Sequence, residues 1–317
     1  MNIDYSVVIR TVGLANDHYK SLLQSIGSLE PPPREVIVVI PDDVERPELL
    51  LGGERIIHCP RGMVLQRVQG IKACKSEYAL VCDDDVAFSK DFVQKLAVPL
   101  IEKKADISIG PLFSFLPPKK SWQSFWLGLS ASAAPTVFNR NKYITILKSS
   151  GWSYNRNIDC KKINYYYTDS APWTCFFGRT DKLKAIEMER EAAWLDKYGY
   201  AYLDDQTMFY KAKLQKIKTV VVSNAIYEHL DARTSVKNKS RKIEFPIGFN
   251  RVVFWHRFIY EHQRGIQKVF ASLAFLYYLF MGLIYNLFRQ EPVRRRLYYK
   301  GVFAGFQYIK TKEYKVL

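Results

Sequence analysis

Cysteine is scarce in this sequence, and its placement excludes two kinds of scaffold. The 317 residues include five cysteines, an odd number, with no Cys-x-x-Cys pair and no zinc-type spacing of His and Cys. A fold held together by a disulfide framework or by structural zinc is therefore excluded. We expect the thiols to be reduced, as in a cytosolic protein. The N-terminus also lacks a basic segment followed by an apolar stretch, so no secretory signal is expected.

Acidic residues are too few to balance the basic ones. Lys and Arg number 47 against 31 Asp and Glu, which leaves a formal net charge of +16. This excess predicts an acidic partner, which could be phosphate groups, nucleic acid or an anionic membrane face. No internal repeat or low-complexity tract is present. The 48% apolar and 25% charged residues are typical of a chain that folds around a core.

Strand and helix patterns alternate over the first third of the chain. Four apolar runs of strand length lie at residues 5–9, 35–40, 78–82 and 106–110. The segments between them with apolar residues at helical spacing are residues 17–29, 64–74 and 91–103. Further elements are predicted as a helix at residues 181–198, a helix that opens at residues 202–205 and a strand at residues 218–222. This alternation predicts an α/β sheet that binds its ligands at the carboxyl ends of the strands.

Three carboxylates follow the predicted strand at residues 78–82. Asp83, Asp84 and Asp85 repel one another, and a divalent cation would neutralise them. Because side chains alternate along a strand, Asp83 and Asp85 can face one ion while Asp84 points away. The alternative is a turn or helix-cap cluster, in which Asp is common.

Two other features suit a phosphate ligand or acid–base chemistry. Arg67 lies near the start of a predicted helix, where a guanidinium and the helix N-terminus can face one phosphate. The alternative for Arg67 is an ordinary solvated charge. Asp204 and Asp205 form a second acidic pair at a helix start, where an N-cap is the alternative interpretation.

The composition changes after residue 245. Residues 246–268 interleave aromatic and aliphatic residues with Arg, His and Lys, which predicts an amphipathic segment on a membrane surface. Residues 269–288 carry no charge and are long enough to span a bilayer. Because basic residues flank both ends, we favour a surface-lying or re-entrant helix pair on the cytoplasmic leaflet. A helix buried in a soluble core or in an oligomer interface is the alternative.

Taken in chain order, these segments resemble the family 2 glycosyltransferases of GT-A fold. The resemblance covers roughly residues 4–232 and depends on the ordered segments at residues 5–9, 35–39, 61–71, 83–86, 203–206 and 228–229. It implies an α/β fold with a GT-A type, Rossmann-like mixed sheet flanked by helices, which forms a catalytic domain over residues 1–234. A basic loop and a membrane-associating, amphipathic and hydrophobic helical extension then occupy residues 235–317. The implied reaction is inverting transfer of a sugar from a nucleotide-diphosphate donor to an acceptor hydroxyl, with Mn2+ or Mg2+ bound.

The resemblance also implies a role for each residue that matches the family pattern. Asp205 is the general base. The metal ligands are Asp83, Asp85 and His229. The residues that bind the nucleotide-sugar are Arg10, Thr11, Asp42, Arg67, Asp83 and Asp84. The residues that contact the acceptor are Trp173, Thr174 and Asp204.

The sequence departs from the family pattern in the donor half. Pro41 precedes Asp42 and Asp43, so the two acids are shifted by one position from the usual Asp-Asp-Gly-Ser. Val68 stands where an asparagine commonly follows the arginine, and Arg10 stands where a proline is common.

Two other functions are also considered. A sugar nucleotidyltransferase uses strand-end carboxylates with a metal, but it usually has a glycine-rich loop after the first strand, where this chain has Gly13 alone. A non-enzymatic membrane-binding or nucleic-acid-binding module would suit the net charge, but much of the excess lies in residues 235–317. We therefore expect a glycan or lipid-linked acceptor, an anionic membrane surface at the inner face of the cell membrane, and no nucleic acid. The C-terminal helices are a candidate homo-oligomer contact.

Overall fold

The structure is a computed structural model. It describes residues 3–13, 16–45, 51–112, 122–133, 142–149, 151–154, 158–230, 243–289 and 291–317. The predicted basic loop after residue 234 lies mostly outside the described residues.

A mixed sheet forms the centre of the fold. The strands are β1 (Tyr5–Arg10), β2 (Glu35–Pro41), β3 (Arg55–Cys59), β4 (Tyr78–Asp83), β5 (Val86–Phe88), β6 (Ile107–Ile109), β7 (Ile144–Ile146), β8 (Trp152–Tyr154), β9 (Tyr165–Tyr167), β10 (Cys175–Arg179), β11 (Thr219–Val222) and β12 (Tyr227–His229). The central sheet has eight strands in the order β3-β2-β1-β4-β10-β6-β11-β9. Strands β3, β2, β1 and β4 are parallel, and β10 runs antiparallel to both β4 and β6.

Helices cover the sheet and form the C-terminal part of the chain. They are α1 (Asn16–Gly27), α2 (Met63–Ala73), α3 (Phe92–Ile101), α4 (Trp122–Leu129), α5 (Thr180–Ala185), α6 (Met188–Leu195), α7 (Asp204–Leu214), α8 (Glu244–Phe254), α9 (Ile266–Arg289), α10 (Pro292–Tyr308) and α11 (Lys312–Lys315). A π-helix (Trp255–Tyr260) continues α8.

Continuous apolar runs produce the central strands. All six residues of β4 are buried, as are five of the six in β1. Strands that are buried on both faces are typical of a sheet with helices on each side, where crossover helices join parallel neighbours. The predicted mixed sheet flanked by helices is confirmed.

Several elements differ from the sequence prediction, among them the sheet strands β9 and β10, and the physical reason is clear for two others. The helix predicted at residues 181–198 is two helices, α5 and α6, because Glu187 between them has a left-handed backbone with φ of 53°. Strand β3 is absent from the prediction. It lies at the edge of the sheet, and four of its five residues are partly or fully exposed. Its sequence therefore lacks the continuous apolar run of a central strand.

The predicted membrane-surface segment at residues 246–268 is wrong over α8 and the π-helix. Phe249, Val253 and Trp255 are buried inside the protein. The Asn250 amide donates to the Tyr202 carbonyl at 3.1 Å and so ties α8 to the chain that precedes α7. The amphipathic pattern of this segment therefore reflects packing against protein.

A buried carboxylate joins the same region to α6. Glu191 is 0% exposed and accepts hydrogen bonds from Arg257 at 2.8 and 3.0 Å, from Lys211 at 2.8 Å and from the Trp194 indole at 2.8 Å. Burial alone raises the pKa of a carboxyl group, but Arg257 and Lys211 outweigh it, so the pKa of Glu191 is lowered. Arg257, one of the basic residues of this segment, is therefore paired inside the protein.

Helix α9 differs from its neighbours because only its inner face is covered. Phe275 on that face stacks on Trp255 with ring centroids 4.3 Å apart. The exposed apolar side chains recur at helical spacing and are Ile266, Val269, Phe270, Leu273, Leu276, Tyr277, Phe280, Leu287 and Phe288. By length and composition, α9 is the one helix among the described residues that could cross a membrane, and 17% of its apolar stretch is buried. We call this exposed face the α9 stripe.

Candidate active site

Two predicted donor residues meet where β1 and β4 end. Arg10 and Asp83 are the last residues of these parallel strands and are paired in register. Arg10 Nε lies 3.3 Å from Asp83 Oδ1. The contact lies at the carboxyl edge of the sheet, where α/β sheets bind their ligands.

Arg67 in α2 joins this edge to the acidic pair at the start of α7. Its Nη2 donates to the two Asp83 oxygens at 2.8 and 2.9 Å, and its Nη1 donates to Asp204 Oδ2 at 2.7 Å. The Arg67 side chain is 3% exposed. Burial by itself lowers the pKa of Arg67, but the two carboxylates outweigh it, so the pKa is raised and the guanidinium stays charged. The buried Arg67 guanidinium therefore holds Asp83, which is predicted to bind the sugar donor, beside Asp204, which is predicted to contact the acceptor.

Trp173 and Thr174 support these charged residues. The Arg67 guanidinium lies 4.9 Å from the centre of the Trp173 ring, and Trp173 is 2% exposed. The Thr174 carbonyl accepts a hydrogen bond from the Asp83 backbone N–H at 2.7 Å, and its hydroxyl lies 2.8 Å from the Tyr227 hydroxyl. The structure thus brings both residues to the donor side of the site, although the resemblance implies contact with the acceptor.

Asp84 and Thr11 fix the loop after β1. The Thr11 hydroxyl donates to Asp84 Oδ2 at 2.5 Å and accepts a hydrogen bond from Gly13 N–H at 3.0 Å. Both side chains are buried, and burial raises the pKa of Asp84. These two predicted donor-binding residues therefore shape the loop beside the site.

The N-terminus of α2 is not open to a phosphate, contrary to the sequence prediction. Asp196 accepts hydrogen bonds from the backbone N–H groups of Val64 at 3.2 Å and Leu65 at 3.0 Å. Gly62 allows this approach, because a Cβ at that position would overlap the Asp196 carboxylate. The predicted phosphate contact of Arg67 can therefore come only from its side chain. A cap supplied from so distant a residue leaves no local signal in the sequence.

Strand pairing brings Asp85 and His229 together. Strands β5 and β12 form a small antiparallel pair in which His229 lies opposite Val86, the neighbour of Asp85. His229 Nε2 lies 3.3 Å from Asp85 Oδ1, and both side chains are partly exposed. The third predicted metal ligand, Asp83, is instead bound to Arg67 and Arg10. No cluster of three or more His, Cys, Asp or Glu side chains that could hold a metal is found among the described residues.

The Asp85–His229 pair fits a metal that takes its other ligands from the substrate. Mg2+ is usually bound in enzymes by one or two carboxylates together with phosphate oxygens and water, and Mn2+ accepts carboxylate and imidazole ligands. One carboxylate and one imidazole, both reachable from solvent, match this donor set. Of the three predicted metal ligands, the structure brings Asp85 and His229 into contact and places Asp83 beside Arg10 and Arg67.

Asp205 lies in a setting that favours proton transfer. Leu203, two residues before Asp205, has a left-handed backbone with φ of 69°, a strained conformation that is often found at functional sites. Burial, and next the negative charge of Asp204, raise the pKa of Asp205 to about 7. Burial also raises the pKa of Asp204, although Arg67 opposes this effect. A carboxylate with a pKa near neutrality is suited to act as a general base.

A cavity of about 270 Å3 opens beside this acidic pair. Its other lining residues are Met63, Ile144, Ser170, Pro172, Tyr200, Ala201, Tyr202 and Leu203. Of the three predicted acceptor residues, the cavity includes Asp204 and neither Trp173 nor Thr174. Tyr200 and Tyr202 are absent from the sequence prediction, and the aromatic run just before the acidic pair was the signal that could have identified them.

Asp42 lies on the same side of the sheet but outside these contacts. It is exposed just beyond β2, and its backbone N–H donates to the Cys59 carbonyl at 2.9 Å. The neighbouring Asp43 is 2.8 Å from Arg61. Because β2 pairs with β1, Asp42 reaches the same carboxyl edge as Arg10.

Known proteins that resemble this chain share its fold. Residues 20–183 match the family model described as Glycosyl transferase family 2. The chain is similar to S. aureus TarS 1-349 in complex with UDP-GlcNAc, with a TM-score of 0.55 and 14% identity over 96% of this chain and 81% of that one. It is also similar to the mannosyltransferase PcManGT from Pyrobaculum calidifontis in complex with GDP-Man and Mn2+, with a TM-score of 0.47 and 11% identity over 100% of this chain and 83% of that one. No curated protein matches the sequence significantly. The similarity to TarS confirms the predicted GT-A type sheet.

Proposed function

This chain belongs to glycosyl transferase family 2, and on that basis we propose that it transfers a sugar from a nucleotide-diphosphate donor to an acceptor hydroxyl with inversion. The observation that carries the proposal is the contact of Arg67 with both Asp83 and Asp204. This contact joins the carboxyl edge of the sheet to the acidic pair of α7. A donor at that edge would therefore lie next to an acceptor in the cavity, and a single displacement needs this proximity.

Positively charged groups on the donor side can bind a diphosphate. Arg10 and Arg67 surround Asp83, while Asp85 and His229 would hold a divalent cation at the same edge. That cation would stabilise the negative charge of the departing diphosphate. We assign contact with the nucleoside to Asp42, which lies at the same carboxyl edge of the sheet as Arg10.

The acceptor side offers a base. Asp205 accepts the proton of the acceptor hydroxyl as the oxygen forms a bond to the anomeric carbon, while the bond from that carbon to the diphosphate oxygen breaks. A positioned base is worth about 10²–10⁴ in rate. Asp204, held by Arg67, lines the cavity and can accept a hydrogen bond from the acceptor.

The acceptor and the location are proposed from the α9 stripe. An apolar face of this length, together with Arg264 and Lys268 near its start and Arg294, Arg295 and Arg296 after its end, suits the surface of an anionic membrane. We therefore place the enzyme at the inner face of the cell membrane, where it acts on a glycan or lipid-linked acceptor. The non-enzymatic module considered from the sequence does not fit the family.

The test begins with donor binding. Full-length protein in mild detergent is melted with UDP, GDP, dTDP or CMP, each with and without Mn2+. A nucleotide that binds the folded state raises the melting temperature by mass action. We expect one nucleoside diphosphate to give a shift that Mn2+ increases, and Asp85→Asn to lose that increase.

The second part measures transfer with the corresponding sugar nucleotides. Asp205→Asn should keep the nucleotide-dependent shift in melting temperature. Its rate of acceptor-dependent nucleoside diphosphate release should fall by at least about 10²-fold. Asp181→Asn is the matched control, since Asp181 opens helix α5 and is exposed. Binding of a nucleotide combined with wild-type transfer by Asp205→Asn would contradict the mechanism.

A further inference from the structure

A second and larger cavity lies among the C-terminal helices. Its volume is about 810 Å3, which is in the range of ligand-binding pockets. It lies between α4, α8, α9 and α10, and we call it the C-terminal cavity. Its lining residues are Trp122, Trp126, Leu127, Ser130, Ser132, Glu244, Ile247, Arg251, Tyr278, Gly282, Tyr285, Asn286, Arg294 and Tyr298.

The lining combines aromatic rings with hydrogen-bonding groups. Trp126 and Tyr285 contact each other with ring centroids 5.5 Å apart, and Arg251 lies over the Tyr278 ring at 4.8 Å. A sugar ring has an apolar face that packs on aromatic rings and hydroxyls that need polar partners. This combination suits a saccharide better than a purely apolar ligand.

Asn286 provides an independent sign of a ligand. It is 9% exposed on the apolar helix α9, and it lines the cavity. Within the described part of the chain, no hydrogen bond engages its side chain. The amide faces the cavity, so a ligand that enters can hydrogen-bond to it in place of water.

The C-terminal cavity shares a wall with the cavity beside Asp205. Arg251 lines the C-terminal cavity and donates a hydrogen bond to the hydroxyl of Tyr202. Tyr202 lines the cavity beside Asp205. The contact between Arg251 and Tyr202 therefore forms part of the wall between the two cavities, which lie next to each other.

The other side of the C-terminal cavity meets an exposed apolar surface. Trp122 lines the cavity yet is 68% exposed, so it stands at the mouth, and Phe125 stacks on it and is 56% exposed. The Tyr277 hydroxyl donates to the Leu129 carbonyl at 2.8 Å, which joins α4 to the α9 stripe. The mouth of the cavity therefore opens beside the surface that we place on the membrane.

We propose that the C-terminal cavity binds the saccharide part of a lipid-linked acceptor, whose lipid lies in the membrane beside α4 and the α9 stripe. The inference rests on the proposed function and narrows its acceptor from any glycan to a lipid-linked one. The saccharide packs on Trp126 and Tyr285, hydrogen-bonds to Asn286, and extends past Tyr202 toward Asp205.

The experiment uses full-length enzyme, labelled sugar nucleotides and membranes of the organism that produces the protein as the source of acceptor. The label is measured separately in the chloroform–methanol extract and in the water-soluble glycan. We expect the label in the lipid extract. Asn286→Leu and Trp126→Ala should each raise the KM for membrane acceptor by about tenfold, the effect of losing one hydrogen bond or ring contact, with the donor KM unchanged.

Gln267→Leu is the matched control, because it makes the same change of an amide to leucine at an exposed position of α9. It should leave both KM values unchanged, and melting temperatures establish that each variant is folded. Label found only in water-soluble glycan, or an acceptor KM of Asn286→Leu equal to that of wild type, would overturn the proposal while leaving the glycosyl transfer intact. If wild-type enzyme binds no nucleotide and transfers no label, the proposed function fails and this inference with it.

Discussion

The raised pKa of Asp205 predicts how sugar transfer should depend on pH. A general base must be deprotonated, so kcat/KM is at its plateau above the pKa and falls as the pH drops through about 7. One unit below its pKa, a carboxyl group is ionised in about a tenth of the molecules. At a pH near 6, kcat/KM should therefore be about a tenth of its plateau value.

Asp204→Asn tests the cause of that pH dependence. Burial is the first cause of the raised pKa of Asp205, and the charge of Asp204 is the second. The substitution removes this charge and keeps an oxygen that can accept the hydrogen bond from Arg67. Asp205 then loses its proton more readily, so its pKa falls. We expect the acidic limb of the profile to move to lower pH by about one unit.

The assay follows release of nucleoside diphosphate from about pH 5.5 to about pH 8.5 at constant ionic strength, with substrates below saturation. Asp181→Asn should leave the profile in place, because Asp181 is exposed. A wild-type profile that is flat across this range would refute the assignment of Asp205 as the titrating base. An acidic limb of Asp204→Asn that stays in place or moves to higher pH would refute the role of the Asp204 charge.

Three further results are expected. Arg67→Met removes the cation shared by two buried carboxylates, and urea denaturation should show a loss of about 3–5 kcal/mol in the free energy of unfolding. The exposed pair of Arg61 with Asp43 provides the contrast, since Arg61→Met should cost about 0–1 kcal/mol. Glu191→Gln should lower the melting temperature by several degrees in calorimetry, because Lys211 and Arg257 would lose the carboxylate with which they pair. His229→Asn should abolish the increase that Mn2+ adds to the thermal shift of the bound nucleoside diphosphate and keep the shift seen without metal.

Most strands inside the central sheet could be predicted from the sequence because they are buried on both faces, but β10 is buried and was not predicted. β1, β2 and β4 appear as continuous apolar runs that no exposed element of this length would carry. β3, at the sheet edge, could not be predicted in this way because its solvent-facing positions interrupt the run.

The structure brings the segments with the acidic motifs close together, but the sequence does not predict how they contact one another. The hydrogen bonds from Arg67 to Asp204 and from Val64 to Asp196 each join residues more than a hundred positions apart. No local pattern encodes such contacts. They decide that Asp204 binds arginine and that the N-terminus of α2 is capped by protein.

The C-terminal region shows a second limit of sequence patterns. An amphipathic pattern predicts that one helix face will be buried, but it does not identify what covers that face. In α8 the cover is protein, whereas the α9 stripe is exposed. Both helices have apolar faces, and only the tertiary structure shows which of them is covered by protein.

The buried pair of Glu191 and Arg257 imposes an order on biosynthesis. The ribosome adds Arg257 66 residues after Glu191, so α6 is synthesised before this partner exists. A nascent chain that ends before Arg257 has Lys211 as the cation for Glu191. The catalytic half should therefore stay incompletely packed, and open to chaperones, until the π-helix has been translated.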